Sequence, residues 1–195
     1  MEEFKNNKKF QSTVSKAKEL FWKYGIKKVS IEEICTETPV SKMTFYKFFK
    51  NKNKLAEFIL EEIINEGFER YEHIMNQDIP YPEKIEQIIL LKHESSKDIS
   101  DEFLKDIFQS EEQGLLKIIE ASRDKSTNKI LNDLKKAQSE GWIRKELNLD
   151  FLLYMMNDIN NKLFDPKLEN MYSNKHDLIM ELTNYFFYGI MKVKE

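Results

Sequence analysis

Residues 30–55 read SIEEICTETPVSKMTFYKFFKNKNKL, and this stretch decides the fold. Ser30 and Glu33 stand at the S-x-x-E spacing of a capping box. In that motif the hydroxyl accepts the Glu33 amide and the carboxylate reaches back to the Ser30 amide. Ile31, Ile34 and Cys35 then share one helical face. Thr36 to Pro39 breaks the periodicity, because proline removes a backbone donor and disfavours helix at Thr38. Ser41 restarts it as the N-cap of a second helix over Lys42 to Phe49. That helix mixes Lys42, Thr44, Tyr46 and Lys47 with apolar anchors. A short helix, a tight turn and a basic second helix predict a helix-turn-helix, the arrangement that lays side chains into the major groove of DNA.

Upstream, Phe10, Val14, Ala17, Phe21 and Tyr24 recur at helical spacing, Leu20 widens the stripe and Gly25 ends it. This predicts a scaffold helix lying across the two motif helices. Lys5, Lys8 and Lys9 precede it, as a basic arm that either touches phosphates or only aids solubility. Downstream, Asn51 is the expected cap of a long helix whose stripe runs through Leu55, Phe58, Ile59, Ile63, Phe68 and Tyr71 to about Met75. A break at Gln77 to Pro82 follows. Further helices are expected over Glu83–Glu94, Ile99–Phe108, Ser110–Glu140, Asn148–Asp165 and Tyr172–Lys192.

The charge is split along the chain. Residues 1–54 carry 13 lysines and 6 acids, a net +7, whereas the remainder carries −10 and the whole −3. A basic head on an acidic body points to a polyanionic partner for the head alone. The 5 glycines, 4 prolines and absence of long alternating runs argue for an all-α chain. One cysteine cannot form an internal disulfide and fits a reducing cytosol, and Cys35 reads as packing. No run of about 18 apolar residues would span a membrane. The opening MEEFKNNKKF lacks the apolar core of a signal peptide, so a cytoplasmic location is expected.

The residues 40–55, VSKMTFYKFFKNKNKL, resemble the signature of the TetR family of bacterial transcriptional regulators, V-S-x-x-T-L-Y-x-x-F-x-(S/N)-K-x-x-L. Val29 to Ile34 resembles the family's first motif helix. Ala17 to Gly25 resembles the A-x-x-L-F-x-x-x-G end of the helix before it. The likeness covers about the first third of the chain. It implies a helix-turn-helix DNA-binding domain at 1–54 and a helical ligand-binding and dimerisation domain at 55–195. It assigns Ser41, Lys42, Met43, Thr44, Tyr46, Lys47 and Lys52 to DNA, with Lys52 at a phosphate and Phe45 and Phe49 as buried anchors. Pro39 stands where the family usually has glycine, and Phe48 where a polar ring is common.

The last two long helices are apolar over more than one stripe, so a second burial surface is expected there. Phe151, Met155, Ile159, Leu178, Leu182, Phe186 and Ile190 are the expected homodimer face. Phe103, Phe108, Trp142, Tyr154 and Asn157 are the expected lining of an effector pocket, each also compatible with plain core. The three histidines lack ligand spacing, so no metal is expected, and neither cofactor nor catalysis has a motif. The resulting expectation is a homodimeric repressor that leaves a palindromic operator when a small molecule binds. The rival reading is a helical interaction module whose basic head binds a protein or an anionic surface.

Overall fold

Ser30, Ser41 and Asn51, the caps expected from the sequence, each open a helix. In the computed structural model, which describes residues 2–191, a short 3-10 turn at Glu2–Phe4 precedes α1, Lys8–Tyr24. Asn7 Oδ1 accepts the Lys9 and Phe10 amides at 2.9 and 3.3 Å. Helix α2, Ile31–Thr36, opens on Ser30 with both halves of the capping box formed. Helix α3, Lys42–Phe48, opens on Ser41, whose Oγ accepts the Thr44 amide at 3.2 Å. Helix α4, Lys52–Met75, opens on Asn51, whose Oδ1 accepts the Lys54 amide at 2.9 Å.

Helix α5 covers Tyr81–Ser96 and starts earlier than the periodicity indicates, because Pro82 is tolerated in a first turn. Helices α6, Asp101–Phe108, and α7, Gln113–Ser139, follow. Helix α8, Leu149–Lys162, is capped by Asn148. A four-residue helix α9, Pro166–Glu169, capped by Asp165, stands where the sequence shows only a gap. Helix α10, Lys175–Ile190, is capped by Asn174; Lys192, the expected end of the last helix, lies outside the described residues. Among the described residues the nearest thing to a strand is one antiparallel bridge between Ile143 and Met191.

The chain forms two compact units. One holds residues up to 65 together with 98–122; the other holds 66–97 and those from 123 on. Two of the three boundaries fall inside α4 and α7, and the third lies between α5 and α6. In the first unit, Ala17 and Phe21 of α1, Ile34 of α2, Phe45 of α3 and Leu55 of α4 are fully buried, and Phe103 and Ile107 of α6 join them. Phe10 anchors a ring cluster, 5.1 Å from Phe49, 5.4 Å from Phe58 and 5.4 Å from Phe48. Phe4 in the N-terminal turn closes over Phe48 at 5.3 Å, so this part of the arm is packed on the core. Burial of four or five such rings provides most of the stabilisation in so small a unit.

In the second unit α5 packs on α10. Tyr81, Ile85, Leu134, Ala137, Ile143, Leu152 and Ile190 make its core. The buried Lys175 ammonium is satisfied by the Glu169 carboxylate and the Leu163 carbonyl, and lies 5.1 Å from the Phe164 ring.

Candidate nucleic-acid interface

Helix α3 is held from below and open above. Phe45 and Phe48 on it, and Phe49 at its end, are buried. Lys42, Met43, Tyr46 and Lys47 are exposed on the opposite side, with Ser41 exposed before them and Thr44 half-buried between. Their spacing of one and four residues puts them on one stripe of the helix. Met43 is 71% exposed and Tyr46 54%, an apolar and an aromatic side chain left in water on a lysine-rich surface. A tyrosine and a methionine there can contact thymine methyls or a sugar, and the lysines suit phosphate and guanine edges.

The turn before α3 tolerates Pro39. Among the described non-glycine residues only Asp98 has positive φ, so nothing in residues 37–40 needs glycine. Thr38 is buried and its hydroxyl donates to the Ile34 carbonyl at 2.8 Å, which closes α2 without help from a proline amide. Phe48 has joined the ring cluster, so a polar ring at this position would meet phenylalanines rather than a phosphate.

Two of the lysines are engaged. The Lys42 ammonium pairs with the Glu32 carboxylate of α2. That hydrogen bond holds the carboxyl below its ordinary range and the ammonium above its own. Lys52 does not point away from the protein. Its Nζ donates to the carbonyls of Val29 at 2.7 Å and Lys27 at 3.1 Å, in the α1–α2 turn. Desolvation pushes this ammonium below the usual lysine value, against the opposing fields of Asp106 and Glu33.

The remaining expected residues fall in different places. Phe103 is buried in the first unit against Trp22, with ring centres 5.1 Å apart. Phe108, Tyr154 and Asn157 are on the surface. Trp142 lines a cleft of about 330 Å³ in the second unit, with Met75, Tyr81, Lys84 and Asp133. Asp133 accepts the Tyr71 hydroxyl at 2.9 Å. Burial, then the Asp133 charge, raises the phenols of Tyr71 and Tyr81 well above the ordinary tyrosine value, so both stay protonated.

On α8 and α10, Phe151 is exposed, Met155, Ile159, Leu182 and Phe186 are half-buried, and Leu178 and Ile190 are in the core. Tyr154, Tyr185 and Tyr188, at 70%, 72% and 65% exposure, extend the aromatic surface of the same two helices. Tyr154 is thus on this surface, whereas the sequence reading expects it in a pocket. His93 and His176, far apart in the chain, meet with ring centres 4.7 Å apart. Among the described residues no group of three or more metal-ligating side chains occurs, and no helix is long and apolar enough to cross a membrane.

Residues 14–59 match the family of bacterial regulatory proteins, tetR family. No curated protein matches the chain. Among solved structures it is similar to the fatty acid degradation regulator FadR of Bacillus halodurans, at 16% identity and TM-score 0.68 over 93% of this chain and 96% of that one. It is similar also to the FadR of Bacillus subtilis in complex with stearoyl-CoA, at 18% identity and TM-score 0.67 over 93% and 100%. A putative transcriptional regulator of Saccharomonospora viridis in complex with choline matches at 14% identity and TM-score 0.75, over 94% and 98%.

Proposed function

We infer that this chain, a member of the TetR family of bacterial regulatory proteins, acts as a cytoplasmic homodimeric repressor that holds a palindromic operator and leaves it when a small molecule binds. The observation that carries the DNA-binding half is the outward stripe of α3, with Met43 and Tyr46 in water while Phe45 and Phe48 fix the helix from beneath. Ser41, Lys42, Met43, Thr44, Tyr46 and Lys47 form the DNA-facing set. Thr44 and Tyr46 read base edges or the backbone beside them, and the lysines neutralise phosphates. A protein partner can also use an exposed methionine and tyrosine; what favours DNA is that they stand among lysines on the second helix of a helix-turn-helix.

An operator enriched by the wild-type chain from a pool of random duplexes provides the test. Thr44→Ala and Tyr46→Ala are each expected to weaken its binding by about 1–3 kcal/mol. Fluorescence anisotropy on operator and on scrambled duplex separates base contact, which lowers only the first, from phosphate contact, which lowers both. Wild-type affinity in both variants would remove α3 from the role.

Dimerisation is supported by the exposed rings on α8 and α10. Phe151→Glu with Tyr185→Glu is expected to leave a folded monomer, since the wild-type side chains are 54% and 72% exposed in a single chain. In a dimer that covered them, two buried carboxylates would cost several kcal/mol. Analytical ultracentrifugation decides it, and an unchanged dimer would move the interface to another face.

The effector half rests on analogy with the neighbours that hold stearoyl-CoA and choline. Two half-sites must be met together, so an effector that alters the spacing of the two recognition helices removes much of the affinity.

A further inference from the structure

The main chain of Lys27 is gripped at both its N–H and its carbonyl. Its N–H donates to Asp106 Oδ2 of α6 at 2.9 Å. Its carbonyl accepts from Lys52 Nζ at the start of α4 at 3.1 Å, and the same ammonium holds the Val29 carbonyl at 2.7 Å. Asp106 is 8% exposed, which makes it the most buried carboxylate among the described residues of the first unit. Around this grip the turn fits closely. A Cβ on Gly25 would stand 2.8 Å from Glu102 Cβ and 2.9 Å from Asp106 Oδ2, both on α6. Lys28 Nζ reaches Glu102 at 2.7 Å, and the Ser100 amide donates to the Trp22 carbonyl at 3.1 Å. Val29 and the capping residue Ser30 follow at once, so where the turn sits is where α2 begins.

We propose that Asp106 and Lys52 are positioning residues for DNA binding: together they fix the α1–α2 turn, hence α2 and the recognition helix docked on it. This rests on α3 being the DNA-binding helix. The contribution of Lys52 is then to hold two carbonyls with a half-buried ammonium. A lysine bound to phosphate would instead have its ammonium in solvent before DNA arrives. Residues 98–122, which carry Asp106, fold with the N-terminal helices, so α6 is the element whose placement the turn reports. Asp106 also faces the Lys27 ammonium at 3.6 Å, so it holds Lys27 by main chain and side chain while Lys52 holds the carbonyls that follow. The two side chains grip the turn from different elements in a way that favours one geometry of it.

The two roles give opposite signs. Asp106→Ala removes a negative charge from a DNA-binding unit, which by electrostatics alone tightens DNA binding. If Asp106 positions the turn, the same change weakens operator binding about tenfold, while scrambled duplex is held at least as tightly as by the wild type. Asp106→Asn keeps an acceptor for the Lys27 amide and is expected to stay within about threefold of the wild type. For Lys52→Met, a positioning role predicts about tenfold weaker operator binding at every salt concentration, with the slope of log K against log salt unchanged. A phosphate contact predicts a slope shallower by about 0.9 per copy of the chain.

The measurement is fluorescence anisotropy of the full chain on the enriched operator and on scrambled duplex across a salt series. Far-UV circular dichroism confirms that each variant is folded at the temperature used. Hydrogen exchange at the Lys27 amide, expected to quicken in Asp106→Ala and Lys52→Met, reports the turn directly. Should Asp106→Ala not fold, Asp106→Asn and Lys52→Met carry the same comparison. Tighter operator binding by Asp106→Ala, operator binding more than about threefold tighter by Asp106→Asn, or a shallower slope in Lys52→Met overturns the proposal. A wild type that enriches no sequence overturns the DNA-binding role of α3 instead.

Discussion

Gly25→Ala is expected to cost at least about 3 kcal/mol and to cut operator binding with it. Gly25 sits at φ 85° and ψ 157°, a backbone region that essentially only glycine occupies and that costs other residues about 1–3 kcal/mol. The added methyl would also meet Glu102 Cβ at 2.8 Å and the backbone carbon of Glu102 at 3.3 Å, so relief requires α6 to move. Gly141 is the internal control. Its φ is 83°, yet nothing lies within 4 Å of a Cβ built there, so Gly141→Ala should show backbone strain alone, about 1 kcal/mol. Urea unfolding of both variants beside the wild type gives the difference. Equal losses would mean that α6 does not press on the turn.

Phe45→Ala should be as damaging, at about 3–5 kcal/mol. Phe45 is wholly buried, 5.9 Å from Phe49, and joins α3 to the ring cluster. The cavity would lie directly beneath α3, so on the proposed role of that helix specific DNA binding should be lost before the rest of the helicity. Met43→Ala, two residues earlier on the same helix, should change stability by less than about 0.5 kcal/mol because Met43 is 71% exposed. Its effect should be confined to DNA binding. Circular dichroism melts with operator titrations separate the two, and a stable Phe45→Ala variant would contradict this packing.

The local features of this chain are legible in its residues alone. The box at Ser30 and Glu33, the caps at Ser41 and Asn51, and the helix end at Gly25 each involve groups within about four residues of one another. Such contacts are decided by spacing and side-chain chemistry. The burial of Phe45 and Phe49 is implied by the family resemblance, which gives both as anchors. Of the expected pocket residues, Trp142 lines a cleft, whereas Phe103 is core and Phe108, Tyr154 and Asn157 face outward.

Position in the chain does not say which surfaces meet. The stripe Phe103, Leu104, Ile107 marks the buried face of α6, but only the tertiary structure assigns that face to the N-terminal unit, through Trp22 and Asp106. The sequence by itself determined that Lys52 is a lysine at a helix start; the fold turned its ammonium onto two carbonyls contributed 23 and 25 residues earlier. It determined that Phe48 departs from a polar pattern, while the packing of Phe4 and Phe10 made it core. Leu178 and Ile190 read alike with Phe151 as apolar helix positions, yet two are inside and one is outside. Periodicity fixes a direction around one helix axis, whereas burial depends on which other helices fill that direction.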